Sequence, residues 1–181
     1  MIPLNIPNSL TVLRILLVPV FVGFLVYGQY LPALITLLIA ALTDGLDGAI
    51  ARLAHQQTPV GAYLDPLADK LLMMSAFLTL SVLHLIPVWA VILVVSRDAM
   101  LLAGTLVVGL TDVQVDVSPT LLGKGTTLFQ FLYITMVVFM TTQPLDIHMI
   151  QPLFIVMVTL TILSGLHYLY RGIMSLNASD S

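Results

Sequence analysis

The chain contains no cysteine and has few charged residues, which make up 8% of its 181 positions. The absence of cysteine excludes disulfide bonds and metal sites built from thiolates. Charge this sparse, together with an apolar content of 59%, is typical of a membrane protein rather than of a soluble one. The net charge of −3 gives no indication of a partner.

Charged residues are missing from four long stretches of the sequence, 15–43, 71–96, 125–145 and 147–170. Because about 20 predominantly apolar residues cross a bilayer as a helix, these stretches predict an all-α, polytopic integral membrane protein. The length suits a single domain, 1–181, in which residues 1–10 form a short interfacial segment. We predict six transmembrane helices, at roughly 11–27, 31–53, 63–84, 87–110, 121–141 and 148–170.

The distribution of Lys and Arg predicts the orientation. Six spans would place five basic residues at or near one side of the membrane: Arg14, Arg52, Lys70, Lys124 and Arg171. The turns expected on the other side contain no Lys or Arg. We therefore expect a multi-pass protein of the cell (inner) membrane, with both termini in the cytoplasm and the active site on the cytoplasmic side.

Four aspartates stand close together in the sequence, at Asp44, Asp47, Asp65 and Asp69. Carboxylates are costly beside lipid, so a group of four requires a cation or a function. The spacing within each pair puts its two members on one face of a helix. Since a turn with Pro59 separates the two helices, the pairs are expected to meet at neighbouring helix ends.

The types of residue in this cluster favour phosphate chemistry. Two divalent cations would balance four carboxylates, and all-oxygen ligation suits Mg²⁺ or Mn²⁺. Two such ions about 3.5–4 Å apart are a common arrangement for displacement at phosphorus. The small residues Gly48, Ala51 and Gly61 would let a bulky group approach the backbone, and Arg52 would pair with a phosphate oxygen.

Three other interpretations of the cluster are solvated charges at helix ends, a divalent-cation transporter and a non-catalytic membrane scaffold. A transporter should carry charges near the middle of the bilayer on several helices. Here the four aspartates crowd the inner ends of two adjacent helices, beside Arg52, which would repel cations. The enzyme interpretation is therefore favoured.

The string from Asp44 to Asp69, D-x2-D-G-x2-A-R-x8-G-x3-D-x3-D, resembles the signature of the CDP-alcohol phosphotransferases, which are membrane enzymes of phospholipid synthesis. Residues 5–14, NIPNSLTVLR, resemble the glycerophospholipid branch of that family. The resemblance implies transfer of the phosphatidyl group of CDP-diacylglycerol to an alcohol, with release of CMP, by a homodimer.

The resemblance also implies a role for each matching residue. Asp44, Asp47 and Asp65 would be metal ligands. Asp69 would be a metal ligand and the general base that accepts the proton of the acceptor hydroxyl. The residues expected to contact CDP-diacylglycerol are Asn8, Gly48, Ala51, Arg52, Thr58 and Gly61.

Three basic residues outside the motif have two interpretations each. Arg97 in the fourth span and Lys124 at the start of the fifth would bind the acceptor phosphate; alternatively Arg97 forms a structural pair with an aspartate and Lys124 anchors the helix at the interface. Arg14 in the first span would reach the site or lipid phosphates, or would extend to the membrane interface.

The same regions bear on the identity of the acceptor. Phosphatidylglycerophosphate synthases usually have sequences similar to Arg-Glu in the fourth span and Gly-Lys-x-Lys-Thr before the fifth. This chain instead has Ser-Arg-Asp at 96–98 and Gly-Lys-x-Thr-Thr at 123–127, which look more like the cardiolipin synthases. One lysine fewer suits phosphatidylglycerol, whose phosphodiester carries less negative charge than glycerol 3-phosphate. We expect phosphatidylglycerol as the acceptor, with glycerol 3-phosphate as the alternative and inositol phosphate or serine behind them.

Overall fold

The computed structural model describes residues 6–53, 59–110, 120–143 and 145–179, although within the helices the side chains of 6–8, 46–53, 59–66, 105–110, 173 and 175–179 are not described. The secondary structure in these ranges is helical, which confirms the all-α class. The elements in chain order are α1 Ile6–Val26, α2 Tyr30–Leu53, α3 Pro59–Val82, α4 Val88–Leu110, α5 Leu121–Thr142, a short 3-10 helix Ile147–Ile150 and α6 Gln151–Ser179.

The six helices correspond one to one with the six predicted spans. The first helix begins earlier than predicted, at Ile6, so residues 6–10 of the expected interfacial segment belong to α1. Pro7 is compatible with this start because the first turn of a helix makes no use of its amide donors. The last helix continues to Ser179, beyond the predicted end of the sixth span.

Three helical segments within the described residues are long and apolar enough to cross a membrane: Ser9–Val26, Leu121–Thr142 and Ile147–Gly172. In α2 the apolar stretch within the described side chains is shorter, Tyr30–Gly45. Helices α3 and α4 carry charged residues along their length. Three of the six predicted spans thus have the expected character, and the other three stay predictions.

The chain divides into two compact units, which we describe separately. The first unit lies within residues 1–86 and 134–146, and the second within 87–133 and 147–181. Helix α5 therefore contributes its first half to the second unit and its second half to the first.

Helix α1 is the centre of packing in the first unit, where it contacts both α2 and α3. Its fully buried residues are Thr11, Arg14, Phe21 and Leu25. Spacings of three, four and seven residues place these side chains on one face of a helix. That face carries Arg14 into the contact with the two helices that bear the aspartates.

Hydrogen bonds join α5 and α6 in the second unit. Thr126 Oγ1 lies 3.1 Å from the carbonyl oxygen of Leu160, and the Gln130 side-chain amide donates to Thr161 Oγ1 at 3.2 Å. Polar side chains on apolar helices find partners on a neighbouring helix because lipid offers none. These contacts align the first half of α5 with α6.

Candidate functional site

Helices α1, α2 and α3 bring an arginine and two aspartates of the motif into contact. Arg14 Nη1 lies 2.9 Å from Asp44 Oδ1 and 2.9 Å from Asp69 Oδ1. Each residue comes from a different helix, and Arg14 and Asp69 are 55 positions apart in the sequence. Two of the four motif aspartates, one from α2 and one from α3, thus contact the same guanidinium nitrogen of a residue in α1.

The three side chains differ in their exposure. The Arg14 side chain is 0% exposed, whereas those of Asp44 and Asp69 are 45% and 47% exposed. An arginine buried in this way needs paired anions, and the two carboxylates supply them. Arg14 covers the two carboxylates on the side of α1. About half of each carboxylate remains exposed and can contact a ligand.

The donor chemistry of this group fits a divalent cation. One carboxylate oxygen of Asp44 and one of Asp69 contact the same nitrogen of Arg14, so the two carboxylates are close enough to bind one cation together. Carboxylate oxygen is the ligand type that Mg²⁺ and Mn²⁺ prefer. Among the described side chains no group of three or more metal-binding residues comes together. The side chains of Asp47 and Asp65, which the prediction adds, lie outside the described ones.

The six residues predicted to contact CDP-diacylglycerol also fall outside the described side chains. Thr58 is itself outside the described residues. The remaining five lie at known places on the backbone but without described side-chain contacts: Asn8 in the first turn of α1, Gly48, Ala51 and Arg52 in the last part of α2, and Gly61 in the first turn of α3. Their proposed role stays a prediction.

A second polar cluster surrounds Arg97 of α4 in the other unit. Arg97 Nη1 donates to Asp98 Oδ1 at 2.8 Å, and Nε and Nη2 donate to Ser164 Oγ at 3.2 and 2.9 Å. The Arg97 guanidinium also lies 6.0 Å from the centre of the Tyr168 ring. The structural pair with an aspartate, which the sequence left open for Arg97, is therefore present.

The start of α5 completes this second cluster. Thr120 Oγ1 accepts a hydrogen bond from the Gly123 amide at 3.1 Å, which is the contact of a helix N-cap. The Gly123 carbonyl lies 3.4 Å from Arg97 Nη2. Lys124, the next residue, is exposed. We call Arg97, Asp98, Thr120, Gly123, Ser164 and Tyr168 the Arg97 cluster. Lys124 follows Gly123 in α5, and its part in acceptor binding stays a prediction.

Gly123 has a tight environment within the Arg97 cluster. A Cβ atom at this position would lie 3.0 Å from the Tyr168 hydroxyl and 3.3 Å from Arg97 Nη2. A Cβ at Gly125, one half-turn further along α5, would meet nothing within 4 Å. Glycine at 123 thus lets both side chains approach the helix backbone.

The sequence analysis assigns no role to Ser164 and Tyr168, and for Arg14 it leaves open whether the side chain reaches the site or the membrane interface. The signal for Arg14 was its position beside Thr11 on one face of an apolar helix, away from either end of that helix. An arginine there requires a partner, and the aspartates of the motif are the nearest source of negative charge.

Comparisons with known proteins agree with the motif. A profile of the family described as CDP-alcohol phosphatidyltransferase matches residues 4–167. A Mycobacterium tuberculosis protein named "Probable phosphatidylglycerophosphate synthase" is 32% identical over 93% of this chain and 82% of its own length. Both the aspartate motif and the Arg97 cluster, apart from Tyr168, lie within the profile match.

Other relatives match shorter stretches. A Pseudomonas fluorescens protein named CDP-diacylglycerol–glycerol-3-phosphate 3-phosphatidyltransferase is 49% identical over 42% of this chain and 41% of its own length. The human protein named cardiolipin synthase (CMP-forming) is 43% identical over 56% of this chain and 34% of its own length. These two matches thus span less than half of the relatives' length, and the names of the relatives indicate two different acceptors.

The profile match covers the first, the last and all the intervening helices in whole or in part, and the full aspartate motif lies within it. The longest of these relative matches extends over nearly the same region. The chain therefore belongs to the CDP-alcohol phosphatidyltransferase family.

Proposed function

We propose that this chain transfers the phosphatidyl group of CDP-diacylglycerol to an alcohol acceptor and releases CMP. The supporting observation is the convergence of Asp44 and Asp69 from two helices on one cation position, inside the family's motif. The transporter alternative finds no support among the relatives.

The acidic residues have two tasks in this proposal. Asp44, Asp47, Asp65 and Asp69 hold Mg²⁺ or Mn²⁺, and two bound ions would neutralise the diphosphate and stabilise the departing CMP. The contact of Asp44 and Asp69 with the same nitrogen of Arg14 supports a role in cation binding, because both carboxylates face one positive charge. The remaining two ligands follow from the spacing of the motif.

The reaction exchanges one bond to phosphorus for another. The acceptor hydroxyl oxygen bonds to the lipid-linked phosphorus, the bond from that phosphorus to the CMP oxygen breaks, and the hydroxyl proton passes to the Asp69 carboxylate. Arg14 fixes the position of Asp69, which is 47% exposed and therefore accessible to a hydroxyl. A carboxylate beside cations is a weak base, so Asp69 accepts its proton late in the reaction.

Binding of CDP-diacylglycerol is assigned to the residues that flank the aspartates. Small residues at the end of α2 and the start of α3 leave room for the nucleotide near the backbone, and Arg52 binds a phosphate oxygen. The proposed set is Asn8, Gly48, Ala51, Arg52, Thr58 and Gly61.

For the acceptor we propose phosphatidylglycerol, which makes the chain a cardiolipin synthase. The charge of the Arg97 cluster supports this choice. Asp98 balances Arg97 at 2.8 Å, so the exposed Lys124, which follows Gly123 in α5, would supply the one net positive charge near the cluster. A single net positive charge matches a phosphodiester better than the more strongly charged phosphate of glycerol 3-phosphate.

Glycerol 3-phosphate is the second candidate, which would make the chain a phosphatidylglycerophosphate synthase. The observation in its favour is that the relative matched over 93% of this chain carries that name. Both candidates use the same phosphorus chemistry and the same motif, and they differ in what the Arg97 cluster must bind.

We further propose that the enzyme lies in the cell (inner) membrane as a multi-pass homodimer. Both termini and the aspartate motif would lie on the cytoplasmic side, where CMP is released. The excess of Lys and Arg on one side of the predicted spans supports this orientation.

Replacement of the general base tests the reaction. The variant Asp69→Asn should reduce CMP release by at least about a hundredfold, because it removes the proton acceptor and a charged ligand together. CMP is measured after incubation of purified enzyme with CDP-diacylglycerol, acceptor and Mg²⁺. Asp146→Asn, at an exposed position outside the motif, is the matched control and should retain activity. Near-normal turnover by Asp69→Asn would refute the base assignment.

Identification of the lipid product tests the acceptor. Enzyme given CDP-diacylglycerol and phosphatidylglycerol should form cardiolipin. Enzyme given glycerol 3-phosphate should form little product, because Asp98 balances Arg97 and Lys124 alone would supply a net positive charge for the acceptor. Mass spectrometry of the extracted lipids distinguishes the two. Exclusive formation of phosphatidylglycerophosphate would contradict the preferred acceptor and leave the family reaction intact.

The glycine pair at the start of α5 tests whether the Arg97 cluster binds the acceptor. Gly123→Ala should raise the acceptor KM by roughly three- to tenfold, because the new Cβ displaces Tyr168 and Arg97 by a few tenths of an ångström. The KM for CDP-diacylglycerol should stay close to that of the wild type. Gly125→Ala adds the same methyl group in open space and should leave both constants unchanged. Equal effects of the two substitutions on the acceptor KM would contradict the assignment.

A further inference from the structure

Arg14 places a full positive charge against two residues that we assign to metal binding. Its Nη1 atom is 2.9 Å from one oxygen of Asp44 and 2.9 Å from one oxygen of Asp69. Its side chain is fully buried on the face of α1 that packs against α2 and α3, as are Thr11 and Phe21 on the same face. The packing of α1 against α2 and α3 therefore holds the guanidinium between the two carboxylates.

The charge of this group sets how strongly it attracts a metal ion. Asp44 and Asp69 together carry two negative charges, and Arg14 reduces the sum to one. A divalent ion that binds the exposed parts of the carboxylates is attracted less strongly, because the nearby guanidinium repels it. Without Arg14 and without an ion, the carboxylates of Asp44 and Asp69 would repel each other.

We propose that Arg14 is the internal counter-cation of the acidic site. It holds Asp44 and Asp69 together before an ion binds, and it keeps the affinity of the free enzyme for divalent ions low. Arg14 acts through the two aspartates, so it is a positioning residue. This inference rests on the proposed function, since it takes Asp44 and Asp69 as metal ligands.

The arrangement couples the binding of the ion to the binding of the nucleotide. The diphosphate of CDP-diacylglycerol brings additional negative charge to the site, which offsets the charge of the guanidinium. Divalent ions therefore bind more tightly when the substrate is present, and by linkage the substrate binds more tightly when the ions are present. Loading of the metal without substrate stays weak.

A purely structural clamp is the competing explanation of Arg14. A clamp would join α1 to α2 and α3, and its loss would lower stability without changing the affinity of the site for ions. The counter-cation predicts a lower stability in the absence of ions together with a higher affinity for them. Ion binding therefore separates the two explanations independently of catalytic activity.

The test measures Mn²⁺ binding to the full-length protein in detergent, by the electron paramagnetic resonance signal of free Mn²⁺. Arg14→Met, which removes the charge and retains much of the volume, should bind Mn²⁺ about tenfold more tightly than the wild type. Arg14→Lys retains the charge and should stay within about threefold of the wild type. In thermal unfolding, addition of Mg²⁺ should raise the midpoint further in Arg14→Met than in the wild type.

Each outcome has a defined meaning. Equal or weaker Mn²⁺ binding by Arg14→Met, with binding lost in Asp69→Asn, would overturn the role of Arg14 alone. Unchanged Mn²⁺ binding by Asp69→Asn would overturn the metal site of the proposed function and this inference with it. If Arg14→Met does not fold, Arg14→Gln replaces it. Failure of both variants to fold even in millimolar Mg²⁺ would also contradict the proposal, because the ion should replace the missing charge.

Discussion

The bridge from Arg14 to Asp44 and Asp69 is the interaction on which the first unit and its site depend. It joins three helices through one buried guanidinium, with both contacts at 2.9 Å. In an apolar protein few other interactions fix how a helix is rotated about its axis. Aliphatic side chains pack almost equally well in several orientations, and lipid competes for the same surfaces. A buried charge restricts the helices to orientations in which its partners lie within reach. The contact that orients the three helices thus also orients the carboxylates of Asp44 and Asp69.

The second unit follows the same rule with different partners. Arg97 is nearly covered and is satisfied by a neighbouring aspartate, a serine of α6 and a carbonyl at the start of α5. The cap at Thr120 and the glycine at 123 allow that carbonyl and the Tyr168 side chain to come close. Among the described side chains, each unit therefore contains a buried arginine that has at least one partner on another helix. The first of these arginines contacts two aspartates of the family's motif, and the second is itself a predicted acceptor-binding residue.

Much of this organisation could be predicted from the sequence. The uncharged stretches predict the helices because their length is set by the thickness of the bilayer, and the aspartate spacing predicts a shared site because helical periodicity is local. The sequence does not predict the contact of Arg14 with Asp69, which is 55 residues away. Whether Arg14 turns to a carboxylate or to the membrane interface depends on tertiary packing. Ser164, 67 residues from Arg97, is missed for the same reason. The start of α1 at Ile6 was missed because proline and asparagine suggest a lead-in as readily as a first turn.

The central claim is that Asp44 and Asp69 form part of one divalent-metal site that grips the diphosphate of the nucleotide. Anomalous diffraction from crystals grown with Mn²⁺ and CDP tests it most directly, because the signal of manganese locates the ion without reference to activity. The account predicts anomalous peaks beside the carboxylates of Asp44 and Asp69, with the diphosphate in contact with them. Manganese bound elsewhere, with both carboxylates still paired with Arg14 and the nucleotide distant from them, would contradict it.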